Sequence, residues 1–379
     1  MSRINDLIKE LCPNGVEYVK LEELVDYIQP AKYIVKNTNY DIKYDVPVLT
    51  AGQTFILGYT NERDGIYYAS ADNPVIIFDD FTTSNHWVDF NFKVKSSAMK
   101  ILISKTDNLF KYIYYCISNI DYVPKEHSRQ WIQVYSQFQI PLPPLKVQEE
   151  IVRILDKFGE LEAELEAELE TRKIQYEFWR GNLLFNPNYP VYKMEDICII
   201  NQGLQIPINQ RKKEPGENRY FYITVQFLKN EGENYYIENP SESVICKKDD
   251  ILVTRTGSTG KIVYGVEGCF HNNFFKVTPI INLNKKYLYH VLNSTQMFNE
   301  MLRAASGGTV PDLPHKKFYK LEIGLPSIEE QKKIVTILDK FENLISDISI
   351  GLPAEIELRR KQYEYYRNKL LSFEELSCE

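Results

Sequence analysis

The sequence has little of what marks membrane, secreted or catalytic chains. No apolar run approaches the roughly 18–20 residues a membrane span needs. The opening Met1-Ser2-Arg3-Ile4-Asn5-Asp6 lacks the apolar core of a signal peptide. Six cysteines (Cys12, Cys116, Cys198, Cys246, Cys269, Cys378) are scattered, with no CxxC pair and no histidine cluster nearby. That argues against a zinc site or disulfide framework and for a reducing, cytoplasmic setting. The five histidines form no HExxH. An adenine methyltransferase needs a glycine-rich cofactor loop and an Asn/Asp-Pro-Pro-Tyr/Phe tetrapeptide. The nearest approach, Asn186-Pro187-Asn188-Tyr189, is wrong at its third position and reads as a helix stop. Gly257-Ser258-Thr259-Gly260-Lys261, followed by Ile262, has the wrong spacing for a nucleotide-binding GxxxxGK[ST] loop. Pro311-Asp312 followed by Glu322-Ile323-Gly324 lacks the lysine of a common nuclease pattern. Nothing assembles a catalytic constellation.

What is present is size and repetition. At 379 residues, with 44% hydrophobic and 26% charged residues, two soluble globular domains plus connecting elements are expected. The net charge of −7 is local: Glu149 to Glu170 holds nine acids against two bases, and the rest balances to about zero. Basic patches are therefore free to form elsewhere.

Self-similarity organises the chain. Gln148-Glu149-Glu150-Ile151-Val152-Arg153-Ile154-Leu155-Asp156-Lys157-Phe158 returns, offset by 183, as Gln331-Lys332-Lys333-Ile334-Val335-Thr336-Ile337-Leu338-Asp339-Lys340-Phe341. Upstream, Ile140-Pro141-Leu142-Pro143 returns as Ile323-Gly324-Leu325-Pro326. Downstream, Gln175-Tyr176-Glu177 with Arg180, Leu183 and Leu184 returns, offset by 187, as Gln362-Tyr363-Glu364 with Arg367, Leu370 and Leu371. A weaker echo, Val19-Lys20-Leu21-Glu22 against Tyr192-Lys193-Met194-Glu195, opens each half. Each copy is a globular domain followed by a long helix.

The helices carry a 3,4,3,4 seam: Ile151, Ile154, Phe158, Leu161 and Leu165 in one, Ile334, Ile337, Phe341, Leu344 and Ile348 in the other. Two matching seams favour antiparallel pairing within the chain over a dimerisation coil. The first helix ends near Leu184, before Asn186-Pro187, so ~38 residues span roughly 57 Å. Gly351-Leu352-Pro353 predicts a break in the second. Strand candidates include Pro74-Val75-Ile76-Ile77-Phe78 and Asp250-Ile251-Leu252-Val253-Thr254. The expected fold is α+β: two globular mixed α/β domains separated by two long antiparallel coiled-coil helices, a pseudo-two-fold internal repeat. The expected segments are 1–16, a short helix packing near the C-terminal helix and closing the repeat into a ring; 17–145, the first domain; 146–187, the central helix; 188–328, the second domain; and 329–379, the C-terminal helix.

IPLPPLKVQEEIVRILDKF, LPSIEEQKKIVTILDKF and GLPAEIELRRKQYEYYRNKLL resemble the helical regions of specificity subunits of type I restriction–modification enzymes. The resemblance covers essentially the whole chain. It implies two target recognition domains, each reading half of a bipartite site in double-stranded DNA, with helices that dock two modification (methyltransferase) subunits. It also implies restriction subunits as partners for cleavage, no membrane partner, no cofactor on this chain, and S-adenosylmethionine on the modification subunits. The tandem Glu160-Leu161-Glu162-Ala163, Glu164-Leu165-Glu166-Ala167, Glu168-Leu169-Glu170 would then tune the gap between half-sites, besides giving the helix a solvated acidic face. Four helical residues add about 400° and ~6 Å. One base pair advances ~3.4 Å and turns about 34–36°. One repeat unit thus rotates the second domain by about one base-pair step.

DNA readout needs Lys/Arg for phosphates and Arg, Lys, Asn, Gln, Asp or Ser/Thr for base edges. In the second domain the candidates are Arg255, Thr256, Ser258, Thr259 and Lys261, on a loop that follows a predicted strand and resembles one common in the family. Aligned on the strands, Arg255 corresponds to Asp79, beside Thr82, Thr83 and Asn85; opposite charges there would suit different bases, although Asp79 can equally order its own loop. Other candidates are Gln53, Thr54, Arg129, Gln130, Arg211, Lys212, Lys213, Ser306, Thr309, Lys316 and Lys317, each with a solvated loop as the alternative. Ser306-Gly307-Gly308-Thr309-Val310-Pro311 resembles the family's S-G-x-T-x-P turn. Two other readings stay open: a coiled-coil adaptor without DNA specificity, and a methyltransferase chain with its own target domains.

Overall fold

The computed structural model describes residues 2–50, 54–229, 233–307, 310–347 and 349–376. Two compact units emerge: Met1–Glu164 with Ile356–Glu379, and Leu165–Glu355. The division falls inside one continuous central helix, Leu145–Leu184. No described helix is long and apolar enough to cross a membrane.

The duplication extends to strand topology. In the first unit, Glu17–Lys20 pairs antiparallel with Gln139–Leu142. A four-stranded antiparallel sheet runs in the order Val25–Ile28, Met99–Ser104, Val75–Asp79, Asn85–Val88. A smaller sheet places Val46–Leu49 between antiparallel Ile56–Thr60 and parallel Lys93–Val94. The second unit repeats each piece. Val191–Lys193 pairs with Glu322–Gly324. The order Cys198–Gln202, Phe274–Pro279, Ile251–Thr254, Ile262–Val263 makes the first sheet. Arg219–Ile223 lies between antiparallel Tyr236–Glu238 and parallel Gly268–Phe270 in the second, which gains Ile245–Cys246 at its edge. The apolar runs Val75-Ile76-Ile77-Phe78 and Ile251-Leu252-Val253 are buried at every position, because both faces of these strands are covered.

Each domain is fastened to its helices by the same bonds. A short helix, Phe110–Ser118 in the first unit and Lys285–Leu292 in the second, lies against the start of the following long helix. Gln148 is buried there; its Oε1 accepts from Leu109 N at 3.1 Å and its Nε2 donates to Pro143 O at 2.8 Å. Gln331 does the same with Asn284 N at 3.0 Å and Pro326 O at 2.9 Å. Tyr112 donates its hydroxyl to Pro141 O, and Tyr287 to Gly324 O, both at 2.9 Å. One turn on, Tyr115 bonds Asp156, and at the matched position His290 lies 2.7 Å from Asp339. Lys111 and Lys286 stand beside the two aspartates, at 3.1 and 3.8 Å. Repetition of backbone and side-chain partners alike makes this a built joint.

A second helix completes each joint. In the first unit the C-terminal helix, Leu352–Leu370, runs antiparallel to the central helix: Phe158 meets Tyr363 and Tyr366, while Glu162 meets Arg360 at 2.6 Å. Arg367, stacked over Tyr363, donates to Asn119 at the end of the short helix. In the second unit Tyr176 meets Phe341, and Arg180, stacked over Tyr176, contacts Thr295.

The expected seam needs correction. Ile151, Ile154, Phe158, Leu161 and Leu165 are buried or half-buried, as are Ile334 and Phe341, but Ile337 and Leu344 face solvent. The stripe that faces inward is Gln331, Ile334, Leu338, Phe341, Ile345, and its counterpart begins Gln148, Ile151, Leu155, Phe158. Both also step 3,4,3,4. Ile334 and Phe341 belong to both stripes, while the core of the second unit takes Leu338 and Ile345 in place of Ile337 and Leu344. Ile348 lies outside the described residues.

The break at Gly351-Leu352-Pro353 is present: one helix spans Ile328–Ser346 and the next starts at Leu352. Ser327 caps the first by accepting from Glu330 N. At Gly351 a Cβ would fall 2.6 Å from Asn343 O, so only glycine fits the turn. Ile4 of the N-terminal helix, Ser2–Leu11, shares a core with Leu370 and Leu371. Val16 N bonds Glu374 O, and Gly15, at φ +92°, allows that approach.

His290 supplies a test of the joint. Burial pushes its imidazole below the ordinary histidine range, and Lys286 adds to this, while Asp339 and Glu342 oppose it. A histidine depressed in the folded state binds fewer protons than the unfolded chain, so stability is lost as pH falls through the unfolded value near ~6.5. His290→Tyr, which installs the residue of the first joint, is expected to reduce the loss of urea stability between about pH 7 and pH 5. An unchanged slope would mean that His290 binds protons alike in the folded and unfolded chains.

Candidate nucleic-acid interface

In both units the expected contact residues follow the third strand of the main sheet. In the first unit the strand ends at Asp79, and Asp79 is corrected from base acceptor to loop organiser. It is buried, and its Oδ1 accepts from Phe81 N at 2.8 Å and Thr82 N at 3.3 Å. The tight turn forces Thr83 to φ +63°; Thr83 is buried, and its hydroxyl donates to Thr82 O. Gln130 is also inside: Nε2 donates to Ser128 O and Oε1 accepts from Tyr122, both at 2.8 Å. Asn85 is half-buried against Ser118. Thr54, Thr82 and Arg129 remain at the surface. Arg129 is 51% exposed, beside Phe81 stacked on His127.

The neighbour that sequence reasoning passed over is Asp80. It is fully buried and accepts from Trp131 N at 2.9 Å. Lys100, equally buried, lies 3.5 Å away, and Arg129 lies 3.9 Å away. Burial pushes the Lys100 amine below its ordinary range, and Asp80 opposes the shift.

In the second unit Arg255 is corrected in the same direction. Its guanidinium grips Asp312 bidentately, Nε to Oδ1 at 2.6 Å and Nη2 to Oδ2 at 3.0 Å, so that edge of its fork is engaged by a carboxylate. Thr259 is buried, its hydroxyl between Arg255 O and Pro311 O. Thr256 accepts from Asn273 Nδ2 at 2.8 Å, and Ser258 is half-buried. Gly257, at φ +82°, forms the exposed tip, with Lys261 exposed at the loop's end. Ser306, Lys316 and Lys317 are exposed, the lysines on the short helix His315–Phe318. Lys212 lies 3.8 Å from Glu238 and Lys213 2.8 Å from Glu233, so both cations already have acidic partners. Gln53 and Thr309 lie outside the described residues.

Arg211 is placed differently. Its guanidinium lies over Tyr222 and Tyr235, at 5.1 and 5.5 Å, on a cleft of about 520 Å³. Thr224, Gln226, Lys229, His271 and Asn273 share that lining. Burial holds His271 below the ordinary range, and Arg211 adds to it. The imidazole is therefore neutral at pH 7, one ring nitrogen a donor and the other an acceptor. Donors and acceptors of this mixture suit base edges. Gln226, Lys229, His271 and Asn273 had no sequence signal, since they come from two separate segments, the short helix Val225–Leu228 with its end and the loop before Phe274.

Two matched α+β units, each jointed to helices and each ending in polar and basic loops, define a duplicated recognition scaffold. A family model described as the type I restriction modification DNA specificity domain matches residues 13–171 and 186–358, and the chain belongs to that family. It is 43% identical, over 98% of both chains, to the EcoR124I/EcoR124II type I restriction enzyme specificity subunit of Escherichia coli. It is 30% identical to a putative type I specificity subunit of Haemophilus influenzae, over 97% of this chain and 98% of that one. Among solved structures, the S subunit of the M. genitalium type I system matches with a TM-score of 0.54 at 15% identity, covering 95% of this chain and 97% of that one. A chain from a type I system solved for its complex assembly and conformational transition matches with a TM-score of 0.62 at 14% identity, covering 95% and 98%. At such identities the two solved structures speak for the fold alone.

Replacing Lys100 by Met leaves the buried Asp80 carboxylate with only the more distant Arg129 as a cation and is expected to cost up to about 3–5 kcal/mol in urea unfolding. Adding Asp80→Asn, which keeps an acceptor for Trp131 N, should recover part of that loss. Equal stability of the single variant and the parent would mean that the pair is not desolvated.

Proposed function

We propose that this chain is the DNA-recognition subunit of a type I restriction–modification complex, reading two half-sites on one duplex and catalysing nothing itself. The observation that carries this reading is the repeated joint. Gln148 and Gln331, with Tyr112 and Tyr287, fasten two topologically matched domains to helices through equivalent bonds. A scaffold of that kind gives each reading head a fixed pose, which two-word recognition requires. The relative in Escherichia coli, similar over nearly its whole length, is itself a specificity subunit. Two modification subunits would dock on the helices, bring S-adenosylmethionine and carry out methylation; restriction subunits would join for cleavage. Such a complex works in the cytoplasm, where the DNA is.

Exposed apolar side chains on the helices suit this docking. Phe178 is 62% exposed and Tyr365, its equivalent at the offset of 187, is 59% exposed. Large apolar groups left in water at matched positions fit two copies of one partner. Phe178→Asp is expected to leave one modification subunit bound and Phe178→Asp with Tyr365→Asp none, read by native mass spectrometry. Two subunits retained by the double variant would place the contact elsewhere.

The Glu-Leu-Glu-Ala repeat, inside the central helix, would set the spacing of the half-sites. Deleting Glu164–Ala167 should shorten the preferred gap by about one base pair, measured by competition among duplexes that differ only in gap length. An unchanged preference defeats the spacing role, and no preference for any duplex defeats the recognition role itself.

A further inference from the structure

The two units carry an ion pair at matched positions with its charges exchanged. Strand register gives the match: Asp79 lies opposite Met99 and Thr254 opposite Phe274. Ser104 and Pro279 are likewise equivalent, opposite Val25 and Cys198 at the starts of the first strands. The residue after the third strand is therefore Asp80 in one unit and Arg255 in the other. The expected equivalence of Arg255 with Asp79 is off by one.

Backbone bonds agree. Asp80 N donates to Ala98 O at 2.9 Å, and Asp80 O accepts from Gln130 N at 2.8 Å. Arg255 N donates to Asn273 O at 2.6 Å, and Arg255 O accepts from Leu313 N at 3.1 Å. Immediately before Gln130 stands Arg129; immediately before Leu313 stands Asp312. These are the residues whose side chains close the pairs, Arg129 on Asp80 and Asp312 on Arg255. In the first unit the acid sits on the strand and the arginine on the returning segment; in the second the order is reversed. Their surroundings follow. Lys100, which supports buried Asp80, is replaced at the equivalent position by Phe275, buried against Phe318.

We propose that Arg255 and Asp312 are positioning residues for base reading by the second unit, a clasp that holds the turn 254–261 against the segment 311–313. This rests on the DNA-recognition role given above. An ion pair about one-third exposed adds little to stability, ~0–1 kcal/mol. Its bidentate geometry, however, sets both distance and orientation of the two segments. Thr259 spans the same segments, from Arg255 O to Pro311 O, and the cleft residue Asn273 is bonded to the turn at Thr256. Because the first unit makes the equivalent contact with opposite signs, what is repeated is the tether, not a charge presented to DNA.

The test uses the chain assembled with its modification subunits, on duplexes carrying the cognate site or single-base substitutions in either half. Arg255→Asp and Asp312→Arg are each expected to weaken cognate binding roughly tenfold or more. Discrimination should fall in the second unit's half-site only. The exchanged double variant, R255D/D312R, should return to within about threefold of the parent. Asp312→Asn, which keeps one acceptor and adds no repulsion, should fall between, and serves if a reversal variant fails to fold in urea unfolding. A double variant as weak as R255D would mean that Arg255 touches DNA directly and would overturn the clasp, as would single variants that discriminate like the parent. A parent complex without sequence preference would overturn the recognition role instead.

Discussion

The attachment of each globular domain to its helices is the constraint on which the rest depends. Two buried glutamine side chains, Gln148 and Gln331, satisfy one backbone N–H and one carbonyl apiece across that joint. A buried amide satisfied on both ends has a single favourable pose, and losing either partner leaves an orphan that costs about 1–3 kcal/mol. Tyr112 and Tyr287 add a second bond a turn away, and Tyr115–Asp156 or His290–Asp339 a third. Three directional contacts on one short helix leave it little freedom to pivot. Any lever built on the long helices then starts from a stiff hinge.

Against that fixed joint, the loops at the strand ends differ between the two units. The first unit buries its turn acid with Lys100, whereas the second places Arg255 at the rim and fills the vacated core with Phe275. Both solutions keep the strand end tethered to the returning segment. Arg211, His271 and Asn273 line a cleft in the second unit. Duplication has kept the geometry of attachment and exchanged the chemistry at the tips, as two heads for different words require.

The duplication, the helices and the break at Gly351 were legible because each leaves a local mark: a repeated motif, a 3,4 period, or a glycine with a proline two residues on. The rest depended on distant partners. Ile337 and Leu344 share the period of the seam, but domain docking selects the adjacent stripe through Leu338 and Ile345. Arg255 reads as a free cation until folding brings Asp312, 57 residues on, to its guanidinium. Asp79 and Asp80 are indistinguishable by composition. Strand register makes one a turn cap and the other a buried ion, and a shift of one residue reverses such roles. Gln148 and Gln331 stood in the repeat from the start, yet nothing local foretells that both are buried.

The proposed DNA-recognition role requires both units to address one duplex together. Its most direct test is genome-wide mapping of methylated bases in cells carrying this chain with its modification subunits as the sole such system. The expected result is a single motif of two short specified words separated by one constant unspecified gap. A contiguous motif, or two words at variable separation, would contradict it.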